Sequence, residues 1–362
     1  MTAYTDRRLH RFVSAALAGA LVVAVLGLAP AAASAQTAEV KSIDIKMATL
    51  VPENTSWYLV LKEVAAKWAK ISGGRVKVIL YPGGRRGDDP DVVRDMRLGG
   101  LQGAVLTSVG LAEIDKMVYA LSIPMAYDSY EEVYYVLEKM RPRIEASMEA
   151  KGFVVVNWAD GGWVHFFSKA PIATPDDMRK QKLFQWAGDP KSLEIWKAAG
   201  FNPRPAPSTE LITGLQTGLF EVFSAPPQVC VIARYYEHAK YMTDMNWALM
   251  MAATVIDKRT WATIPADLKP ALLEAARESG AKLQAEIRKS GENDVEAMKN
   301  SPTKLTVVPV DAKTKELWRT LAESTYPRVR GDFVPADAFD EAMKYRDEYR
   351  KTHPAVPAPP RK

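Results

Sequence analysis

Residues 40–84, "VKSIDIKMATLVPENTSWYLVLKEVAAKWAKISGGRVKVILYPGG", decide the fold class. Apolar and polar side chains alternate from 40 to 47, the period of a half-buried strand. After Pro52-Glu53-Asn54-Thr55, helical spacing takes over from 57 to 72, with Leu61, Val64, Ala65 and Trp68 on one face. Gly73-Gly74 closes that helix, and 75–80 reads as a second strand. This is a β–loop–α–β unit with a glycine-rich exit at 82–87, and it places the chain in the α/β class.

The same grammar continues outward. Residues 90–98 predict a helix, 103–107 a short buried strand, 129–151 a long helix closed by Gly152, and 153–158 a strand. Asp160-Gly161-Gly162 is a turn signal, taken here as the crossing between two lobes, with a new strand over 164–168. Thr174-Pro175-Asp176-Asp177 caps a short helix, and 182–186 forms a strand. Helices follow over 191–199 and from Ser208 to Gly218. Residues 265–300 predict one or two long surface helices, 304–309 a strand, then two more helices and a Pro-rich, disordered tail from 354. No repeat recurs at a fixed period. Two α/β lobes around a cleft are expected: 42–161 with 250–289, and 162–249 with 290–330. Residues 331–362 supply a C-terminal helix and the tail.

Residues 1–35 read as a signal peptide. Arg7, Arg8 and Arg11 precede an apolar run over 12–28, and Ala33-Ser34-Ala35 is a small-residue cleavage site. Cleavage near Ala35 implies an exported, periplasmic protein. It lowers the formal charge from +5 to about +3, a dispersed surplus with no basic, aromatic-interleaved helix for nucleic acid. Cys230 is the single cysteine, which excludes an internal disulfide.

Catalytic readings are weak. His165, His238 and His353 lack metal-ligand spacing, and Ser108, Ser208 and Ser224 sit in no nucleophile elbow. Asp160 near His165 is better read as a turn aspartate. Asp88, Asp89 and Asp91 are better read as an acidic helix start than as a calcium site. No catalytic residue, metal site or cofactor is expected, and the oligomeric state is not legible.

Four stretches carry a family resemblance: "SGGRVKVILYPGGRRGDD", "LSIPMAYDSYEEVYYVL", "KAPIATPDDMRKQKLF" and "NPRPAPSTELITGLQTGLFEVFSAPP". From about residue 42 to 330 the chain resembles the substrate-binding proteins of TRAP transporters, of the DctP type. The resemblance implies a two-lobed α/β periplasmic binding protein fold with a ligand cleft and one long helix spanning both lobes. It also implies delivery of a small-molecule ligand to TRAP membrane subunits.

The resemblance further implies an arginine that grips the ligand carboxylate, and that position falls on Phe184. A second arginine position falls on Val164, a frequent Phe on Ser208 and a frequent Asn on Ala225. A carboxylate in a closed cleft costs several kcal/mol unless paired, and Phe184 and Val164 offer no donor. The expected ligand is therefore apolar or amphipathic. The alternative is an organic acid held by a relocated arginine, among Arg85, Arg86, Arg204 and Arg234. The expected ligand-binding residues are Trp57, Arg86, Asp160, Trp163, Val164, Phe184, Trp186, Ser208, Ala225, Gln228 and Trp247.

Overall fold

A computed structural model describes residues 42–53 and 55–354. The expected signal peptide, its cleavage site and the tail beyond 354 lie outside the described residues. The strands are β1 (Ile43–Thr49), β2 (Val76–Tyr81), β3 (Gly103–Thr107), β4 (Phe153–Ser168), β5 (Lys182–Trp186), β6 (Asn202–Ala206), β7 (Val222–Ala225), β8 (Tyr241–Thr243), β9 (Ala248–Asp257) and β10 (Thr306–Val308). The helices are α1 (Ser56–Ile71), α2 (Asp89–Leu98), α3 (Ser108–Ile114), α4 (Tyr130–Ala150), α5 (Pro175–Arg179), α6 (Pro190–Ala198), α7 (Leu211–Thr217), α8 (Pro227–Ile232), α9 (Lys258–Thr263), α10 (Lys269–Lys299), α11 (Ala312–Arg328) and α12 (Ala336–Thr352).

The opening β–α–β unit forms as its pattern dictates. The Thr55 hydroxyl caps α1 by accepting from the Tyr58 backbone N–H. Trp68, on the inward face, is buried against Trp261, and its Nε1 donates to the Leu272 carbonyl at 2.9 Å. β1 pairs in parallel with β2 and β3. The strand order is β2-β1-β3-β9-β4-β7-β5-β6, with β8 beside β4 and β10 beside β8.

β4 and β9 cross between the lobes. β4 pairs with β9 from Phe153 to Val164 and with β7 from His165 to Ser168. One lobe therefore carries β1–β3 and the other β5–β7. The expected turn at Asp160-Gly161-Gly162 is corrected to a bulge inside one 16-residue strand. The register shifts between Asp160 and Trp163 because β9 continues alongside and holds both flanks. The glycines are still required. Gly162 has φ +95°, and a Cβ on Gly161 would lie 3.2 Å from Trp57 Cη2.

Residues 265–300 give one long helix, α10, of 31 residues, roughly 46 Å of axis. It packs on α1 of the first lobe, on β4, and on α8 of the second. Its approach to β4 is close: a Cβ on Gly280 would fall 2.3 Å from Asn157 Nδ2.

Candidate ligand-binding site

β1 and β3 point their C-terminal ends at the cleft from one side, and β5, β6 and β7 from the other. In open α/β sheets ligands gather at such ends, where backbone donors and loop side chains converge. A cavity of about 410 Å³ lies there. Its wall takes Thr49–Pro52 from the end of β1, Val105–Val109 from β3 and α3, Phe184–Trp186 from β5, and Ser224 and Ala225 from β7. Leu283 and Ile287 of α10 close the back.

Aromatic rings stand among aliphatic side chains in the wall: Trp57, Tyr119, Phe184, Trp186, Trp196, Phe201, Tyr235, Trp247 and Phe333. They brace one another. Trp196 stacks on Trp247 with centroids 5.5 Å apart and meets Phe201 edge-on at 5.0 Å. Phe184 meets Phe220 edge-on at 5.1 Å. Among the described residues of the wall there is no Arg, Lys or His, and its acidic members are Asp160 and Asp189.

Both acids are occupied by protein donors. Asp160 accepts from Tyr134 Oη and Gln284 Nε2, each at 2.8 Å, and from the Gly162 backbone N–H at 3.1 Å. Arg288 of α10 stands 3.8 Å away, its guanidinium over the rings of Tyr130 and Tyr134. Burial and the neighbouring Asp160 push the Tyr134 hydroxyl well up. Asp189 caps α6 by accepting from the Ser192 N–H at 3.0 Å, and it accepts from Tyr119 Oη at 3.2 Å. Burial raises the Asp189 carboxyl above its ordinary range.

Of the residues expected from sequence, Trp57, Asp160, Val164, Phe184, Trp186, Ser208, Ala225 and Trp247 line the cavity. Arg86, Trp163 and Gln228 stand outside the wall. Arg86 makes a surface ion pair: it bonds Asp95 and lies over the Tyr81 ring. Trp163 packs against Tyr130, with centroids 5.5 Å apart. The other candidate cations are also absent from the wall. Arg85 pairs with Glu53 at 3.0 Å, Arg234 pairs with Glu237, and Arg204 is exposed on β6 opposite Phe184.

The catalytic pairing of Asp160 with His165 dissolves. His165 Nδ1 lies 3.3 Å from the Thr243 carbonyl, and burial lowers its pKa. Asp88 and Asp91 form a capping box on α2. Asp89 is buried and accepts from Thr107 N–H at 2.9 Å and Thr107 Oγ1 at 2.7 Å. Sequence reasoning missed Tyr119, Asp189, Trp196, Phe201, Tyr235 and Phe333. Gly188-Asp189-Pro190 carried a usable helix-cap signal for Asp189. The aromatic residues enter from elements whose packing no local pattern reveals.

Two α/β lobes joined by crossing strands and a long helix, with an aromatic cavity at their strand ends, define a binding protein that closes on a small solute. The chain belongs to the bacterial extracellular solute-binding proteins of family 7 (DctP), whose family model matches residues 47–332. It is a periplasmic solute-binding protein of the TRAP type and not an enzyme. The 2,3-diketo-L-gulonate-binding periplasmic protein YiaO of Escherichia coli is 24% identical over 230 residues, spanning 63% of this chain and 70% of that protein. The C4-dicarboxylate-binding periplasmic protein DctP of Rhodobacter capsulatus is 24% identical over 239 residues, 65% of this chain and 71% of that one.

Among solved structures, a TRAP periplasmic solute-binding protein of Ralstonia eutropha with bound (S)-2-acetolactate has a TM-score of 0.78 at 19% identity, covering 85% of this chain and 99% of that one. One from Sulfurospirillum deleyianum with bound succinate has a TM-score of 0.76 at 22% identity, covering 83% and 98%. Among the described residues no helix is long and apolar enough to cross a membrane.

Proposed function

We propose that this chain, after cleavage near Ala35, captures an apolar or amphipathic solute and presents it to the membrane subunits of a TRAP transporter. Residues 42–161 with 250–289 close on 162–249 with 290–330. The observation that carries the reading is a cavity wall without Arg, Lys or His among its described residues, with Phe184 and Val164 in it. An anion entering such a wall loses several kcal/mol of hydration without a bidentate cation to offset it, and it meets Asp160 and Asp189. Apolar surface fares better. Covering roughly 200 Å² of ligand at about 25 cal/mol per Å² contributes about 5 kcal/mol. A ligand that contacts both lobes favours the closed population, which is the form a membrane partner recognises.

A second reading has support from the relatives, whose names and bound ligands are organic acids. It needs one of Arg85, Arg86, Arg204 or Arg234 to enter the cavity. Arg85, Arg86 and Arg234 would have to leave Glu53, Asp95 and Glu237 to do so.

Native mass spectrometry of the exported protein, followed by titration with N-phenyl-1-naphthylamine (a neutral apolar fluorophore) and with succinate, separates the two. The first reading expects an uncharged or amphipathic compound to co-purify and saturable fluorophore binding that this compound displaces. Succinate binding to the wild type, abolished by an alanine at one of the four arginines, overturns it in favour of the acid.

A further inference from the structure

One carboxylate joins the two lobes beside the cavity without lining it. Asp88 lies in the loop between β2 and α2, on the lobe of β1–β3, and is buried. Its Oδ2 accepts from Trp186 Nε1 at 2.5 Å and from the Ser208 backbone N–H at 2.7 Å. Its Oδ1 accepts from Ser208 Oγ at 2.7 Å and from the Asp89 N–H at 2.9 Å. Three of these four donors belong to the opposite lobe, at the ends of β5 and β6. The same seam is tightly fitted on both sides. A Cβ on Gly188 would fall 2.4 Å from Pro90 Cγ, and one on Gly84 would fall 3.1 Å from Thr209 Cγ2.

We infer that Asp88 is a positioning residue for ligand capture: it is a catch that holds the lobes together and fixes Trp186 and Ser208 in the cavity wall without touching the ligand. The chemistry suits a catch. Charge-assisted hydrogen bonds are about twice as strong as neutral ones, and these form across the part of the molecule that separates on opening. Among the described residues the three cross-lobe donors have no other acceptor in the seam, so opening must re-solvate these three together. The inference goes beyond the proposed function, since it holds for an apolar or an acidic ligand alike.

Asparagine at 88 is the informative variant. Its amide N–H2 would face donors on one side, whereas every one of the four bonds needs an acceptor. Ser208→Ala removes one donor and leaves the α2 cap intact. Asp91→Ala removes the other half of the capping box, the bond Asp91 Oδ2 accepts from the Asp88 N–H at 3.4 Å, and an ion pair to Arg94, without touching either Trp186 or Ser208.

The experiment uses double electron–electron resonance on the ligand-free protein, with spin labels at Lys77→Cys on β2 and Lys197→Cys on α6, both exposed. Cys230 is fully buried, with its thiol pKa pushed well up by burial, and takes no label. The wild type is expected to show the interlobe distance of this structure as a resolved population beside a longer, open one. Asp88→Asn should lower the closed-to-open ratio by about tenfold or more, one factor of ten per charge-assisted hydrogen bond lost. Ser208→Ala should shift it the same way by less, and Asp91→Ala should leave it unchanged. The inference is overturned by a wild type without the closed distance. It is equally overturned if Asp88→Asn melts as the wild type does with an unchanged distribution, or if Asp91→Ala shifts the ratio as far as Asp88→Asn. No ligand enters the measurement, so its failure is distinct from failure of the proposed function.

Discussion

Replacing Phe184 by arginine puts a cation where the wall now has an aromatic ring, and the consequences follow from its surroundings. Phe184 is 9% exposed and packs with Ala206, Leu211, Ala225 and, edge-on, Phe220. That leaves roughly 20 Å² of the side chain for a ligand to cover, worth about 0.5 kcal/mol at about 25 cal/mol per Å². Loss of that contact alone raises the Kd of an apolar ligand only about twofold, so most of the effect must come from the charge. The guanidinium adds a desolvation cost that only a ligand anion relieves. In fluorescence titration, Phe184→Arg should weaken N-phenyl-1-naphthylamine at least about tenfold. In calorimetry it should create succinate binding that the wild type lacks. Thermal stability should fall without an anion and recover with succinate, because ligand bound to the native state alone raises the melting temperature. Fluorophore affinity within about twofold of wild type, with no gained response to succinate, refutes the placement of Phe184 in the ligand wall.

Gly188→Ala should lower the closed population, since its Cβ meets the Pro90 ring at 2.4 Å and a proline cannot swing away; the same resonance distances measure this, with an unchanged circular dichroism spectrum as control. Burial pushes the Asp89 carboxyl up to about 7, against an ordinary value of 3.8. The folded state thus binds a proton more readily than the unfolded chain, and this group's contribution is present below about pH 4 and is lost as pH rises towards 7. The wild type minus Asp89→Asn difference in unfolding free energy should therefore fall between pH 5 and 7.5. A pH-independent difference would exclude a raised Asp89. Asp160→Ala strands Tyr134, Gln284 and Arg288 at the bulge and should cost about 3–5 kcal/mol by urea unfolding, the scale for breaking a buried charged network. A loss under about 1 kcal/mol would mean the network is as loosely held as a surface pair.

Where burial and local pattern agree, the sequence was readable. The first β–α–β unit has an alternating strand, a capped amphipathic helix and a Gly-Gly stop, each a local signal. β9 is not legible because Ala248–Asp257 runs Ala-Leu-Met-Met-Ala-Ala: its burial alternates, but apolar side chains occupy the half-buried positions as well, so the period of two does not show in the sequence. β6 hid behind Pro203 and Pro205, which a strand tolerates only at the edge of a sheet, where β6 in fact lies. The glycines at 161–162 announced a positive φ but not whether the chain turns. That was decided by β9, a segment 90 residues away. The missing arginine at 184 was legible by resemblance to the family. The positions of the other arginines were not, because an ion pair to Glu53, Asp95 or Glu237 is a choice between solvent and cavity that only packing makes.

The segment "KQKLFQWAGDP" (180–190) concentrates this lesson. Phe184 lines the cavity, and polar atoms beside it are taken by bonds across the seam. Trp186 Nε1 goes to Asp88, and Asp189 takes the Tyr119 hydroxyl from the first lobe. Gly188 is bare where Pro90 presses in. One short run therefore carries both an aromatic ring on the cavity and hydrogen bonds that cross between the lobes. If Asp88 acts as the catch inferred above, closure draws on the protein's own bonds whatever charge the ligand carries, and a solute with little polarity can still be held.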